Sequence, residues 1–304
     1  MGAGGVGAYF GARLAAAGND VTFIARGAHL AALRDSGMTV ASPFGDLVLP
    51  HVQATDDPGD VGPVDVVLST VKLYDLDATS AAIAPMVGPD TMVVPVQNGV
   101  TAAEIVGRHI DPARVVGGLV FIASFVTGPG TVVHKSRLHR IVLGEPGGGL
   151  SDRVEAFAAL GEAAGIDIDA TPDIRRALWE KFVLLGAFGP LSAMTRQPIG
   201  PIMDDPDMRA MFRQGMEEVV AVGRAQGVDL PDAIVDETFE VCKGFDPGST
   251  SSMAADLKVG KPLEMEWITG ALVEMGRASG TPVPFNEVAY VALKPFAGGG
   301  AAGA

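Results

Sequence analysis

The sequence predicts an α/β protein in two domains, a doubly wound parallel sheet followed by a mostly α-helical second half. Three observations carry this. Short, unbroken, β-rich runs alternate with helical patterns through the first 165 or so residues. A glycine pattern, "GAGGVG", stands directly ahead of the first helical stretch. Past residue 170 the alternation stops, and long stretches carry apolar residues three and four apart.

Taken in order, residues 8–17 read as a small-residue helix and "VTFIAR" at 21–26 as a strand. "VDVVLSTV" at 64–71 and "TMVVPVQN" at 91–98 are runs of the kind buried on both faces of a parallel sheet. The helical "DLDATSAAIAPMV" lies between them. Further strands are expected at 114–122, 131–134 and 139–143, with "HKSRLH" read as a polar strand and turn. "GEPGGGL" at 144–150 is a loop, and 151–165 a helix. The boundary falls near 170, dividing the chain into domains 1–169 and 170–304. "RRALWEKFVLLGAF", "MRAMFRQGMEEVVAVGRAQG" and "LEMEWITGALVEMGRASG" are the main helices of the second domain, and "DDPD" at 204–207 reads as a helix N-cap. The tail "AGGGAAGA" is expected to be disordered.

Composition narrows the function. With 48% hydrophobic and 19% charged residues in 304, the chain can bury two cores. A net charge of -14 disfavours a broad nucleic-acid or anionic-membrane surface, which needs clustered Lys and Arg. The longest apolar stretch, "VVGGLVFIASFV", is too short to span a bilayer, and the opening lacks the basic start of a secretory signal. A single cysteine, Cys242, excludes an internal disulfide framework and fits a cytoplasmic protein. The five histidines show no metal-ligand spacing, so no metal is expected.

Gly2, Gly4 and Gly7 spell G-x-G-x-x-G. In a chain with 40 glycines this is weak evidence alone, and a small-residue helix face is the alternative. Context strengthens it. Gly2 permits a tight turn, Gly4 the approach of a pyrophosphate, and Gly7 contact between helix and sheet. The helix that follows offers its N-terminal amides and positive dipole end to phosphate oxygens. This is the start of a Rossmann-type fold. Arg26 stands where the ribose is inspected, ~20 residues on, and suits a 2′-phosphate better than the acidic residue that selects NAD. An exposed arginine at a strand end is the other reading. Such a turn follows a central strand, and only Met1 precedes it here. The expectation is therefore that the first strand is truncated, that Met1 is its last residue, and that the natural protein starts upstream. Mass spectrometry of the native N-terminus tests this.

"STVKLYD" and "VPVQNGV" put Lys72 and Asn98 just past strand ends, where open α/β sheets bind ligands. "RRALWEKFVLL" carries Lys181 on a helix, and "SSMAADLKVGKPLEME" carries Ser252 and Glu264. In this order and spacing, with the glycine turn, the chain resembles the ketopantoate reductase family (2-dehydropantoate 2-reductase) over nearly its whole length. The resemblance implies that Gly2, Gly4, Gly5, Val6 and Gly7 hold the pyrophosphate of NADP(H), and that Arg26 and Lys72 neutralise its 2′-phosphate. It implies that Asn98 and Ala123 contact cofactor near the active site, with Asn98 also beside the substrate. By the same resemblance, Lys181 is the general acid and touches substrate, Ser252 binds substrate, and Glu264 lies by the nicotinamide ribose and the lysine. A homodimer is implied too. Read from residues alone, Lys181 is also consistent with a snorkelling surface lysine, Ser252 with a helix cap and Glu264 with a solvated helix residue.

The residue types suit the chemistry. Reduction of a 2-oxo acid builds charge on the carbonyl oxygen, and a lysine whose pKa is lowered by burial can protonate it. On a helix Lys181 shares a face with Ala177, Leu185 and Phe188, an apolar setting for an ammonium. The family's substrate-side asparagines, however, align with Leu185, Gly189 and Ile199. Either Thr195, Arg196 or Gln197 takes over their role, or the substrate is bulkier and more apolar. The expected function is NADPH-dependent reduction of a small 2-oxo acid to a 2-hydroxy acid, with 2-dehydropantoate the first choice. The alternatives are another 2-oxo acid or lactone, or a non-catalytic NADP-binding sensor.

Overall fold

A computed structural model describes residues 1–300. The chain divides into two compact units. One takes in Met1–Gln97 and Ala102–Ile174, and the other takes in Asn98–Thr101 and the chain from Arg175 onward.

The first unit runs α1 (Gly5–Ala16), β1 (Thr22–Ile24), α2 (Gly27–Ser36), β2 (Met38–Ala41), β3 (Leu47–Leu49), β4 (Gln53–Thr55), β5 (Val64–Ser69), α3 (Leu73–Ala82), β6 (Val87–Pro95), α4 (Ala102–Gly107), β7 (Gly117–Gly128), β8 (Thr131–Gly144), α5 (Asp152–Ala163) and β9 (Asp167–Ala170). It is a mixed α/β body. β1 pairs with β4 and β5 with β6, both parallel. A third sheet has the order β3-β2-β8-β7, with β9 alongside β8. The parallel strands thus fall into two-stranded pieces rather than one continuous sheet. The break lies between β1 and β5, where the start of the chain bridges: the Met1 ammonium donates to the Leu68 carbonyl (2.7 Å), and Gly2 and Ala3 N–H to Ile24 (3.2 and 2.9 Å). α1 is the central helix of the core, with Tyr9 and Phe10 wholly buried among Leu33, Met38, Val94, Ile141 and Leu143. A helix so apolar on every side is stable only inside a core.

β8 corrects the expectation of two strands with a polar turn between them. It is one strand of 14 residues, antiparallel to β7. The sequence there looks polar, but His134 and His139 are buried at 2% and 8% exposure. Tyr9 Oη lies 2.9 Å from His139 Nδ1, and Ser42 Oγ 3.0 Å from His134 Nδ1. The Phe44 ring stacks on His139 at 3.8 Å. Satisfied histidines pack like aromatics, so the strand continues.

In the second unit come α6 (Ile174–Thr195), α7 (Ile199–Asp204), α8 (Pro206–Ala225), α9 (Ile234–Lys243), α10 (Ser252–Lys258), α11 (Thr269–Ser279) and α12 (Pro284–Leu293). α8 is capped as its sequence predicts, the Asp205 carboxylate accepting from Asp207 and Met208 N–H. Glu218 of α8 reaches the first turn of α12, accepting from Phe285 N–H (2.8 Å), Asn286 N–H (3.0 Å) and Asn286 Nδ2 (2.9 Å). A carboxylate at a helix N-terminus is favourable even when buried, since the dipole and three donors offset its desolvation. Cys242 is buried, and burial pushes its thiol up to about 11, away from reactivity. Of the tail expected to be disordered, 301–304 lie outside the described residues. Its start is pinned: Leu263 N–H donates to Ala297 (2.9 Å) and Gly300 N–H to Gly260 (3.2 Å).

Candidate active site

The glycine turn is made of backbone. Gly2 has φ +89°, open to glycine and strained for other residues. A Cβ on Gly5 would stand 2.1 Å from the Ser124 carbonyl oxygen, and one on Gly7 2.3 Å from Thr70 Oγ1. Position 4 differs: a Cβ there would meet nothing within 4 Å. Gly4 is also the N-cap of α1 and supplies no side-chain acceptor to the first turn, which includes Val6. An open backbone face ahead of uncapped helix amides is the cradle a dinucleotide pyrophosphate needs, so the residues present fit the cofactor.

Two neighbours hold this turn in shape, and the sequence reading passed over both. Thr70 Oγ1 donates to the Gly2 carbonyl (2.6 Å), and Ser124 Oγ to the Gly5 carbonyl (2.9 Å). A hydroxyl just past a strand end, beside a glycine turn, is the signal that could have found Thr70. Ser124 is 119 residues from its partner and left no local signal. A third missed residue is Gln97, which ties strand ends together by donating from Nε2 to the carbonyls of Ser69 (3.1 Å) and Val71 (3.1 Å).

Arg26 and Lys72 occupy equivalent places. Each is the N-cap residue of a helix, α2 and α3, just past the carboxyl ends of β1 and β5. Arg26 is exposed and Lys72 half-buried. Ala123 sits at a register shift of β7, its N–H donating to Ser136 Oγ (3.0 Å).

The second unit brings together Lys181, Asn98 and Glu264. Lys181 Nζ donates to Asn98 Oδ1 at 3.0 Å across 83 residues of sequence. The short stretch Asn98–Thr101, although it follows β6, belongs with this unit. Burial lowers the Lys181 ammonium to about 8, and the Glu264 carboxylate opposes that fall. Glu264 is itself buried, at 8% exposure, in a short 3-10 turn. The solvated-residue reading of Glu264 and the snorkelling reading of Lys181 therefore do not hold.

Ser252 is exposed as the first residue of α10, and the cap is its neighbour: Ser251 Oγ accepts from Ala254 N–H (3.0 Å) and donates to the Gly189 carbonyl (3.3 Å). Gly189 is buried, with only Met253 Cε within 4 Å (at 3.8 Å) of where a Cβ would stand. Leu185 is half-buried and Ile199 is 1% exposed. Pro190 inside α6 has no N–H, so the carbonyl one turn earlier, on Gly186, loses its helical donor. Thr195 Oγ1 is engaged with the Leu191 carbonyl (2.8 Å), and Arg196 is exposed in left-handed backbone at φ 59°.

Among the described residues no helix is long and apolar enough to cross a membrane, and no cluster of His, Cys, Asp and Glu could hold a metal ion. A glycine-turn α/β unit and a helical unit with a buried, low-pKa lysine define a pyridine-nucleotide-dependent oxidoreductase. The family model "Ketopantoate reductase PanE/ApbA" matches residues 1–148, and its C-terminal counterpart matches 173–297. The chain belongs to the ketopantoate reductase family. It is 33% identical to a 2-dehydropantoate 2-reductase of Mesorhizobium japonicum, over 98% of this chain and 96% of the relative. It is 28% identical to an uncharacterized oxidoreductase, YkpB, of Bacillus subtilis, over 97% of each. The crystal structure of 2-dehydropantoate 2-reductase from Geobacter metallireducens matches with a TM-score of 0.90 and 33% identity, over 97% of this chain and 98% of that one.

Proposed function

We propose that this protein reduces a 2-oxo acid to the corresponding 2-hydroxy acid with NADPH, and that 2-dehydropantoate is its first-choice substrate. The observation that carries the reading is the Lys181 ammonium, lowered to about 8 and bound to Asn98 Oδ1 at 3.0 Å. The resemblance to relatives named 2-dehydropantoate 2-reductase supports the substrate.

NADPH, when bound, supplies the hydride that reduces the C2 carbonyl. Gly2, Gly4, Gly5, Val6 and Gly7 would hold its pyrophosphate, Arg26 and Lys72 its 2′-phosphate, and Ala123 and Asn98 the part nearer the active site. The chain's own chemistry is the proton. As negative charge builds on the C2 oxygen, Lys181 Nζ gives up a proton to it, leaving a neutral amine. An ammonium near 8 is still protonated at neutral pH yet surrenders its proton more readily than an ordinary lysine. Asn98 accepts a hydrogen bond from Nζ and so aims its remaining protons. Glu264 keeps the amine from falling to a pKa at which it would be neutral before the reaction. It also favours reprotonation afterwards. Ser252 is assigned to the substrate, and the protein acts as a homodimer in the cytoplasm.

A second reading is a 2-oxo acid with a larger apolar body. It is favoured by the small Gly189, where an added Cβ would meet only Met253 Cε and at ordinary contact distance, and by the apolar Leu185 one turn earlier, where the family carries asparagines. One experiment separates the readings. NADPH absorbance is followed against a panel of 2-oxo acids of graded bulk, in the intact protein and in Lys181→Ala. Turnover of 2-dehydropantoate that falls by ~10²–10⁴-fold in the variant, with NADPH affinity kept, supports the first. A preference for bulkier acids supports the second. Tight NADPH binding without turnover of any acid would leave a nucleotide sensor.

A further inference from the structure

The glycine turn rests against Ser124, and the strand that presents Ser124 is irregular at that point. β7 and β8 are in antiparallel register on both sides of it, through Ile122 with His139 and Ser124 with His134. Between those pairs stand the single Ala123 on β7 and residues 135–138 on β8. Ala123 therefore has no partner residue in the ladder, and its N–H needs an acceptor from elsewhere. Ser136 Oγ supplies it, at 3.0 Å. A slip of one residue here would turn Ser124 to the other face of the strand. Its hydroxyl would then leave the Gly5 carbonyl, which it now reaches at 2.9 Å.

The atoms around Ser136 admit one arrangement of protons. His134 Nε2 lies 2.8 Å from Ser136 Oγ and 3.0 Å from the Leu138 carbonyl. A carbonyl only accepts, so Nε2 carries a proton. Ser136 Oγ donates its own proton to the same carbonyl (2.6 Å) and accepts from Nε2 and from Ala123 N–H. Burial is the largest influence on His134 and lowers its pKa, with the Leu138 carbonyl opposing and Arg13 adding to the fall. In the neutral ring Nδ1 must then accept, and Ser42 Oγ stands 3.0 Å away to donate. Ser42 Oγ accepts in turn from Phe44 N–H (3.1 Å) and Arg13 Nη2 (3.4 Å). Each hydroxyl thus donates once and accepts twice, and both ring nitrogens are engaged. A network satisfied in this way is rigid, and its buried member, His134, anchors it at 2% exposure.

We infer that Ser136, clamped by His134, is a positioning residue for cofactor binding: it fixes Ala123 at the register shift and thereby holds Ser124 against the Gly5 carbonyl of the glycine turn. This rests on the reading that the turn holds NADPH. Ser136 acts through Ala123 and Ser124 rather than on the nucleotide itself.

The test is Ser136→Ala in the full chain, which removes the acceptor of Ala123 N–H and leaves His134 in place. NADPH binding, followed by nucleotide fluorescence, should weaken by roughly 3- to 10-fold. The change should fall more on KM for NADPH than on kcat. Ser136→Thr keeps the hydroxyl on a half-buried strand residue and should restore the affinity. Because Ser136 acts through Ser124, the losses in Ser136→Ala and Ser124→Ala should fall short of adding in the double variant. Further readouts need no nucleotide. Nitrogen NMR of the His134 ring above neutral pH should show the Nε2–H tautomer. The amide signals of Gly5 and Val6 should move in Ser136→Ala and return in Ser136→Thr. Unmoved Gly5 and Val6 signals, an Nδ1–H ring, additive losses, or an affinity equal to that of an NADPH-binding parent each overturn the inference. A parent chain that binds no NADPH instead brings down the reading of the turn as a cofactor site, while moved amide signals would still show that Ser136 holds the turn.

Discussion

The glycine turn and the lysine site are built by opposite means. At the turn, the proposed function rests on what is missing: Gly4 presents open space, and Gly5 and Gly7 leave no room for a Cβ against Ser124 and Thr70. At Lys181, the proposed function rests on a side chain and its surroundings, since burial lowers the lysine to about 8 and Glu264 keeps it from falling further. A backbone site should fail when atoms are added, and a side-chain site when atoms or charges are removed. The two should also fail in different observables, cofactor affinity for the first and the chemical step for the second.

After loss of Lys181 itself, the largest effect expected is from Gly5→Ala. Its new methyl meets a backbone oxygen at 2.1 Å, which cannot swing away, so the turn must shift. Overpacking of this kind costs ~1–3 kcal/mol in stability, and nucleotide binding should drop below detection. Gly4→Ala is the contrast, as nothing lies within 4 Å of its methyl. Its thermal midpoint should match the parent's while NADPH affinity falls. Equal destabilisation by the two substitutions would break the distinction between a packed and an open position.

Next in size is Arg26→Asp. Losing a charge-assisted hydrogen bond costs ~1.5–3 kcal/mol, or roughly ten- to a hundred-fold in affinity. That loss should appear in the NADPH dissociation constant and spare NADH. Equal weakening of both would remove Arg26 from the 2′-phosphate site.

The contrast also explains what the sequence disclosed. The turn was legible because its requirements are local: three glycines at fixed spacing, a helix behind them, and β5 and β6 as unbroken apolar runs. The carbonyl-holding hydroxyls of Thr70 and Ser124 were not, because their partners are distant in the chain. The Lys181 helix was visible in its apolar pattern, but its state was not, since the ammonium is lowered by burial against the opposing Glu264 carboxylate and is bonded to Asn98, 83 residues away. Only the resemblance put those three in one place. Adjacent serines concealed which one caps α10, and the answer, Ser251, depends on burial. The β8 strand was read as two pieces because histidines count as polar until their partners, Tyr9, Ser42 and Phe44, are known.

A smaller effect sharpens the side-chain half. As the proposed acid, Lys181 has to be protonated, so the rate should fall as pH rises through about 8. Glu264 is the influence that raises this pKa. Glu264→Gln removes it, and the alkaline limb of the kcat–pH profile should move to lower pH, with less than a ~10-fold change at neutrality. A limb that stays in place would mean that another group governs it.

The smallest effect belongs to the first unit and separates the two ends of the pH profile. Burial lowers both His134 and His139 below 6.5, and Arg13 depresses each further. For His134 the Leu138 carbonyl opposes burial more strongly than Arg13 adds to it, and for His139 repulsion from His134 lowers it again while Asp167 acts the other way. Below pH 6.5 the unfolded chain therefore takes up protons that the folded chain refuses, and stability falls as pH falls. The loss continues until pH passes below the folded values, where both states are charged. Thermal midpoints should drop by a few degrees between pH 7 and 5. His139→Phe keeps a ring to stack on Phe44, lacks the titrating nitrogen, and should flatten that slope. The acid side of an activity profile would then report unfolding of the β7–β8 hairpin, and the alkaline side the lysine. If His139→Phe leaves the acid slope of stability unchanged, the hairpin is not its source, and the acid limb must be sought at the sites themselves.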